Sequence, residues 1–264
     1  MRLITIGVSH YCEKARWAIE RLALPYREER YVPLFHIAAC LRAGGGRTAP
    51  VLCDQGRSYG DSSEILAYLD RRADPAQRLY PEDRVAKAEV ERLEDRFDEV
   101  LGPHVRRYVY GHILGTQLAD DLLCYGVSPG QRRAYRWSRR LIHGAMRKAM
   151  RINPDSTERS REKCWDVFDQ VAKRLEDGRP YLVGGKFTAA DLAFGALGAA
   201  LVAPPEGYGI PLPSLSELPQ ALADESRRFR SHPAGEFILR LYAEERPRSR
   251  SPKAESSSSD EGRA

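Results

Sequence analysis

The chain reads as a small α/β domain followed by an all-helical domain, and three observations predict this. Strand-like apolar runs and helix-like stretches alternate over residues 1–72. Strand signals stop at Pro81, beyond which apolar residues recur at helical spacing to about residue 245. A chain of 264 residues is long enough for one large domain or two ordinary ones, and its 42% hydrophobic content supports a real core.

The elements follow in order. LITIGV, beginning at Leu3, has the character of a buried strand. Residues 10–24 then place Ala15, Ala18, Ile19 and Leu22 on one helical face. Ser9 stands where an N-cap belongs, and Cys12 falls in the first turn, where free N–H groups and the helix dipole favour an anion. PYREERYV (25–32) predicts a second strand, and HIAACLRA a short helix that ends at Gly44, Gly45 and Gly46. TAPVLCD and RSYG predict a hairpin, and DSSEILAYLDRR a capped helix. The order, βαβ and then αββα, is that of a compact mixed sheet over 1–75, with a linker at 76–80.

In the second domain, expected over 81–245, Ala86, Val90, Leu93, Phe97, Val100 and Leu101 mark one long helix that Pro103 is expected to kink. Residues 131–151 and 158–176 predict two more helices, the second with Cys164, Val167, Phe168, Val171 and Leu175 as its buried stripe. In KFTAADLAFGAL, Thr188 is the expected N-cap, Asp191 completes an acidic capping box, and Phe187 with Leu192 forms a hydrophobic staple. Residues 204–217 read as a loop, and 219–230 and 233–245 as helices. The tail, 246–264, is low-complexity and carries too little apolar surface to order itself.

Composition excludes several function classes. The balance of 42 basic to 37 acidic side chains is only mildly positive and predicts no nucleic-acid partner. Five cysteines without a C-x-x-C favour free thiols in a reducing, cytoplasmic setting. The N-terminal residues lack the apolar core of a signal peptide, and the most apolar stretch, 192–203, is too short for membrane insertion. Six scattered histidines with no H-E-x-x-H spacing predict no metal site. Residues 131–151 carry seven arginines and one lysine and no acid, with Ala134, Trp137, Leu141, Ala145 and Ala149 expected on the opposite face. Such a helix either is solvated on its basic side or faces an anion, a membrane surface or nucleic acid.

The serine at a strand-to-helix turn, T-A-P before a hairpin, D-S-S at a helix start and F-T-A-A-D in a helical domain occur here in one order. The assembly, over roughly residues 1–245, resembles the soluble glutathione transferase superfamily. The resemblance implies a thioredoxin-like first domain, glutathione as co-substrate, a small hydrophobic electrophile, a role in detoxification and a homodimer. It implies that Ser9 is the catalytic residue of the S-H-Y-C turn, that Thr48, Ala49 and Pro50 form the loop with a cis-proline that pairs with the cysteinyl amide, and that Asp61 and Ser62 hold the γ-glutamyl group. Ile4, Thr5 and Ile6 occupy the positions of the tyrosine in tyrosine-type members, His10 replaces the usual proline, and glycines replace the asparagine-proline before the cis-proline loop. Arg47 or Thr48 is then left to meet the glycyl carboxylate, and Trp137, Tyr108, Tyr110 and His143 are candidates for the electrophile pocket.

Two chemistries fit the turn. Ser9 can donate its hydroxyl hydrogen to a bound thiolate, leaving glutathione as the nucleophile. Alternatively Cys12, at a helix N-terminus, is itself the catalytic nucleophile of a glutathione-dependent thiol reductase. A third reading is a non-catalytic interaction module on the same fold.

Overall fold

The N-terminal apolar run forms an inner strand of a four-stranded sheet in the computed structural model, which describes residues 1–205 and 208–247. Strand β1 (Arg2–Thr5) pairs in parallel with β2 (Arg27–Arg30), Leu3 facing Glu28, and antiparallel with β3 (Val51–Asp54), Leu3 facing Leu52. Strand β4 (Arg57–Tyr59) closes the sheet in the order β2-β1-β3-β4. Gln55 and Gly56 join β3 to β4 with φ of 47° and 75°, the doubly left-handed turn whose twist matches a tight hairpin.

Three helices cover this sheet: α1 (His10–Arg21), α2 (Phe35–Arg42) and α3 (Ser62–Asp70). Every residue from Cys12 to Ile19 is buried, because α1 is packed on both sides. One side faces α3; the other faces α9 (Ala189–Val202) of the helical half. Gly195 makes that second contact possible, since a Cβ there would lie 3.0 Å from the Trp17 ring.

The helical half begins with α4 (Arg84–Arg96), which runs through a wide turn at Phe97–Leu101 into α5 (Gly102–Ile113). The disturbance expected at Pro103 thus takes the form of a π-turn just before it. Within this turn the Gly102 N–H reaches back five residues to the Phe97 carbonyl. The same register assigns the Asp98 carbonyl to Pro103, which has no N–H to give. Tyr11 supplies the missing donor, its hydroxyl bonding the Asp98 carbonyl at 2.7 Å. Gly102 leaves the room, because a Cβ there would collide with that hydroxyl.

A short helix, α6 (Gln117–Leu123), had no counterpart in the sequence reading; Thr116 caps it, bonded by the Ala119 N–H. Then come α7 (Pro129–Ala149) and α8 (Pro154–Leu175). The face of α7 differs from expectation. Tyr135, Ile142, His143 and Met146 are its buried stripe, whereas Trp137 is 89% exposed and Leu141 72%. Helix α9 starts as its sequence signal predicts: Asp191, fully buried, accepts from the Thr188 N–H and hydroxyl and from the Leu182 N–H. Burial pushes its carboxyl up to about 6 despite those three donors.

Helices α10 (Gln220–Arg230) and α11 (Pro233–Glu244) finish the described fold. The boundary expected at residue 245 is too early. Arg246 is buried against α1, donating to Glu13 at 2.8 Å and to Glu20 at 2.5 Å. From residue 248 on, the expected tail lies outside the described residues. Among the described residues, no helix is long and apolar enough to cross a membrane.

Candidate active site

A cavity of about 500 Å³ opens between the α/β half and the helical half. Ser9, Thr48, Ala49, Pro50, Asp61 and Ser62 all line it, so residues scattered over more than fifty positions converge on one space. The opposite wall is apolar and comes from α5, α7 and the chain beyond α9, with Val109, Ile113, Met146, Ala149 and Leu212 among its residues.

Ser9 sits where β1 has ended and α1 begins. Its N–H donates to the Ile6 carbonyl at 3.0 Å, which closes the turn, and its backbone is extended (φ −73°, ψ 124°) as an N-cap requires. Its Oγ accepts from the Cys12 N–H at 3.4 Å. That bond uses the oxygen as acceptor and leaves the hydroxyl hydrogen for an acceptor in the cavity.

Cys12 lies on the other side of the same turn. It is fully buried and is absent from the cavity wall. Burial pushes its thiol pKa up, and the opposing pull of Arg16, the Ile6 backbone and Ser9 does not reverse this. A nucleophilic cysteine needs a stabilised thiolate and access to its target. Cys12 has neither, so its assignment as a catalytic residue is corrected: it is a small core residue of α1.

His10 occupies the first helical position. It is 6% exposed, and burial, with Arg106 as a second cause, holds its pKa down to about 3. The imidazole beside Ser9 is therefore neutral across the physiological range. The neighbouring Tyr11 is committed to Asp98, as described above.

The peptide between Ala49 and Pro50 is cis. On the wall of the same cavity, Asp61 caps α3, its Oδ1 accepting from the N–H groups of Ser63 at 2.8 Å and Glu64 at 3.4 Å. Both bonds use one oxygen, which leaves Oδ2 for a ligand. Ser62 follows as the first helical residue, 3% exposed. The start of α3 is held from behind by Lys14, which is fully buried and reaches Ser63 Oγ at 2.9 Å, Asp98 at 2.5 Å and Glu94 at 2.8 Å. This knot ties α1, α3 and the π-turn together, so the site is anchored in both halves of the molecule.

Of the four aromatic candidates for the pocket, only Tyr110 lines it. Tyr108 is turned into the core at 3% exposure, Trp137 faces solvent, and His143 is buried with its Nε2 2.8 Å from the Tyr135 hydroxyl and 3.3 Å from Asp120. Helical spacing identifies a stripe but not which neighbour it meets. Of the two candidates for the glycyl carboxylate, Thr48 lines the cavity and Arg47 does not. Two further polar residues of the wall, His36 and Arg106, carry no signal in the sequence. His36 is buried, with its pKa lowered by that burial against the pull of the Arg47 and Val32 carbonyls, and its Nδ1 has no partner among the described residues. No local pattern marks either residue: each is one polar position in an amphipathic helix.

The fold and sequence can be placed among known proteins. The model of the glutathione S-transferase N-terminal domain matches residues 3–77, and that of the glutathione S-transferase C-terminal domain matches residues 154–223, together more than half of the chain. No curated protein matches the sequence. Among solved structures, a possible glutathione S-transferase from Rhodopseudomonas palustris is 18% identical, with a TM-score of 0.55 and coverage of 92% of this chain and 93% of that one. The β-etherase LigF from Sphingobium sp. strain SYK-6 is 17% identical, with a TM-score of 0.56 over 90% of this chain and 98% of that one. A glutathione S-transferase from Methylobacterium radiotolerans, solved with glutathione sulfonate, is 20% identical, with a TM-score of 0.52 over 90% and 93%. The structures share the fold, a thioredoxin-like domain followed by helices, and the two matched domain models carry the family: this chain belongs to the soluble glutathione transferase superfamily.

Proposed function

We propose that the protein is a glutathione transferase that conjugates glutathione to a small hydrophobic electrophile, with Ser9 stabilising the thiolate. The observation that carries this reading is the convergence of Ser9, the cis Ala49–Pro50 loop and the Asp61–Ser62 helix start on a single cavity with an apolar far wall. The donor set fits the tripeptide. The free Oδ2 of Asp61 suits its ammonium, and the N-terminus of α3 with Ser62 suits its γ-glutamyl carboxylate. The backbone of Ala49 suits the cysteinyl amide, while Thr48 and His36 stand as partners for the glycyl end.

Glutathione supplies the sulfur nucleophile. Ser9 donates a hydrogen bond to that sulfur, and the α1 dipole adds to the stabilisation of its negative charge. In the transfer, the sulfur–carbon bond forms, the leaving group departs with its electron pair, and the thiol proton is released to solvent. With His10 neutral, the donated hydrogen bond from Ser9 and the helix N-terminus are left to stabilise the thiolate, and the apolar wall keeps water from the reacting carbon. The reading carries with it the homodimer and cytoplasmic setting that the resemblance implies; sedimentation velocity checks the first.

Calorimetric titration of glutathione into the purified protein tests the reading. Binding between about −8 and −4 kcal/mol, weakened by Ser62→Ala, is the expected result. No measurable affinity would remove the transferase reading.

A further inference from the structure

Arg106 stands apart from the rest of the cavity wall. It projects from α5, one turn before Tyr110, and is the one lysine or arginine among the residues that line the space. Among the described residues it makes no hydrogen bond and no ion pair. Its neighbour Arg107 is engaged with the Met150 carbonyl at 2.7 Å and with Ser160 at 3.2 Å. Arg139 of α7, which is not part of the wall, is likewise tied down, to Asp120 at 2.6 Å.

The groups around Arg106 do not neutralise it. Its charge is felt at His10, Tyr11 and Tyr110, none of which is an anion at neutral pH. The one acid in the wall, Asp61, caps α3. Nor do the two ends of glutathione account for it. On the reading above, these ends lie at Asp61–Ser62 and at Thr48–His36, whereas Arg106 lines the cavity from α5, its charge felt at His10 and Tyr11, the neighbours of the residue that meets the sulfur. Beyond it the wall is apolar: Val105, Val109, Ile113 and Met146. A lone guanidinium at the rim of an apolar pocket selects a ligand with a greasy body and one acidic group, and its planar fork matches a carboxylate or sulfonate in two parallel bonds.

We propose that the electrophiles taken by this pocket carry a carboxylate or sulfonate on an apolar body, and that Arg106 is the residue that selects them. The inference rests on the transferase reading and names its substrate class. It is tested with a matched pair of nucleophilic aromatic substitutions, those of 4-chloro-3-nitrobenzoate and 4-chloro-3-nitrobenzamide. In both, the sulfur–carbon bond forms, chloride leaves with the electrons of the carbon–chlorine bond, and the thiol proton passes to solvent. The two products, S-aryl glutathiones that differ only in carboxylate against amide, are prepared chemically, and their binding to the full chain is measured by calorimetry.

The carboxylate conjugate is expected to bind at least about fivefold tighter. That ratio is expected to fall toward one in Arg106→Gln and to recover in part in Arg106→Lys, which keeps the charge without the fork. Arg106 is exposed, so both variants are expected to fold. Equal affinities in the parent protein would overturn the inference, as would a ratio that survives Arg106→Gln or a loss that falls equally on both conjugates. If neither conjugate nor glutathione binds, the transferase reading fails, and this inference fails with it.

Discussion

At the scale of single residues, two neighbours in the cavity wall, Ser9 and His10, differ in chemistry. Ser9 spends its oxygen on the Cys12 N–H and keeps its hydrogen for the cavity. A hydrogen bond to a charged group contributes about 1.5–3 kcal/mol, so Ser9→Ala is expected to lower turnover about 10- to 100-fold and to raise the pKa of the bound thiol. Thiolate absorbance near 240 nm, followed against pH, checks this; an unshifted thiol pKa would take Ser9 out of the mechanism. His10 makes a separate prediction about stability. Its folded pKa, about 3, lies below the ordinary histidine value of 6.5. Between these values the unfolded chain binds a proton that the native chain does not. Stability is therefore lost as pH falls from about 6.5 toward 3, at a rate approaching about 1.4 kcal/mol per pH unit. His10→Phe keeps a buried ring and removes the titration. Urea midpoints measured between pH 4 and 7 are expected to fall less steeply in that variant than in the parent.

At the scale of elements, two local devices shape the cavity. The π-turn at Phe97–Leu101 swings α5 so that Val105, Arg106, Val109 and Tyr110 face the site, and Tyr11 satisfies the carbonyl that Pro103 leaves open. The other device is the attachment of α7. Gln131 bridges to the end of β2, its amide donating to the Arg30 carbonyl at 3.1 Å and its oxygen accepting from the Val32 N–H at 3.1 Å. A side chain thus extends the backbone pairing of an edge strand and fixes the helix that carries Met146 and Ala149. Gln131→Ala leaves the N–H of Val32, a fully buried residue, without its acceptor. The expected cost is about 1–3 kcal/mol. Hydrogen exchange at Val32, resolved by mass spectrometry or NMR, is expected to accelerate; unchanged protection there would show that the bridge does not hold the helix.

At the scale of the whole molecule, α1 is the shared beam of both halves, and ionic contacts hold it from two sides. Lys14 faces the π-turn with Glu94, Asp98 and Ser63. Glu13 and Glu20 face Arg246, which returns from the far end of the described chain. Glu13 is fully buried, so removal of its partner leaves a buried charge with only Arg16, 3.6 Å away. Arg246→Met is expected to cost about 3–5 kcal/mol, read as a drop in the thermal midpoint. The double variant Arg246→Met with Glu13→Leu is expected to recover part of that loss. A chain ending at Glu245 is expected to melt with the Arg246→Met protein and not with the parent.

The sequence by itself determined all the strands and, α6 apart, the longer helices, together with the segments that line the first-domain side of the cavity. Period-2 and period-3.6 patterns, the Ser9, Asp61 and Thr188 caps, and the hairpin of TAPVLCD and RSYG are local signals, since each acts within a few residues through backbone geometry and capping bonds. The T-A-P and D-S-S motifs located the first-domain wall of the cavity for the same reason. Partners distant in the chain were decided only by the tertiary structure. Cys12 and Ser9 share one turn, and packing alone puts the thiol in the core and the hydroxyl in the cavity. The buried stripe of α7 is not legible from spacing because burial depends on which side another element covers: Tyr135 and His143 face Asp120 while Trp137 faces water. Arg106 and Arg246 are both plain arginines in sequence. One is left open beside a cavity and the other is sealed against two glutamates, because a charge takes its role from the dielectric and the partners that the fold brings to it.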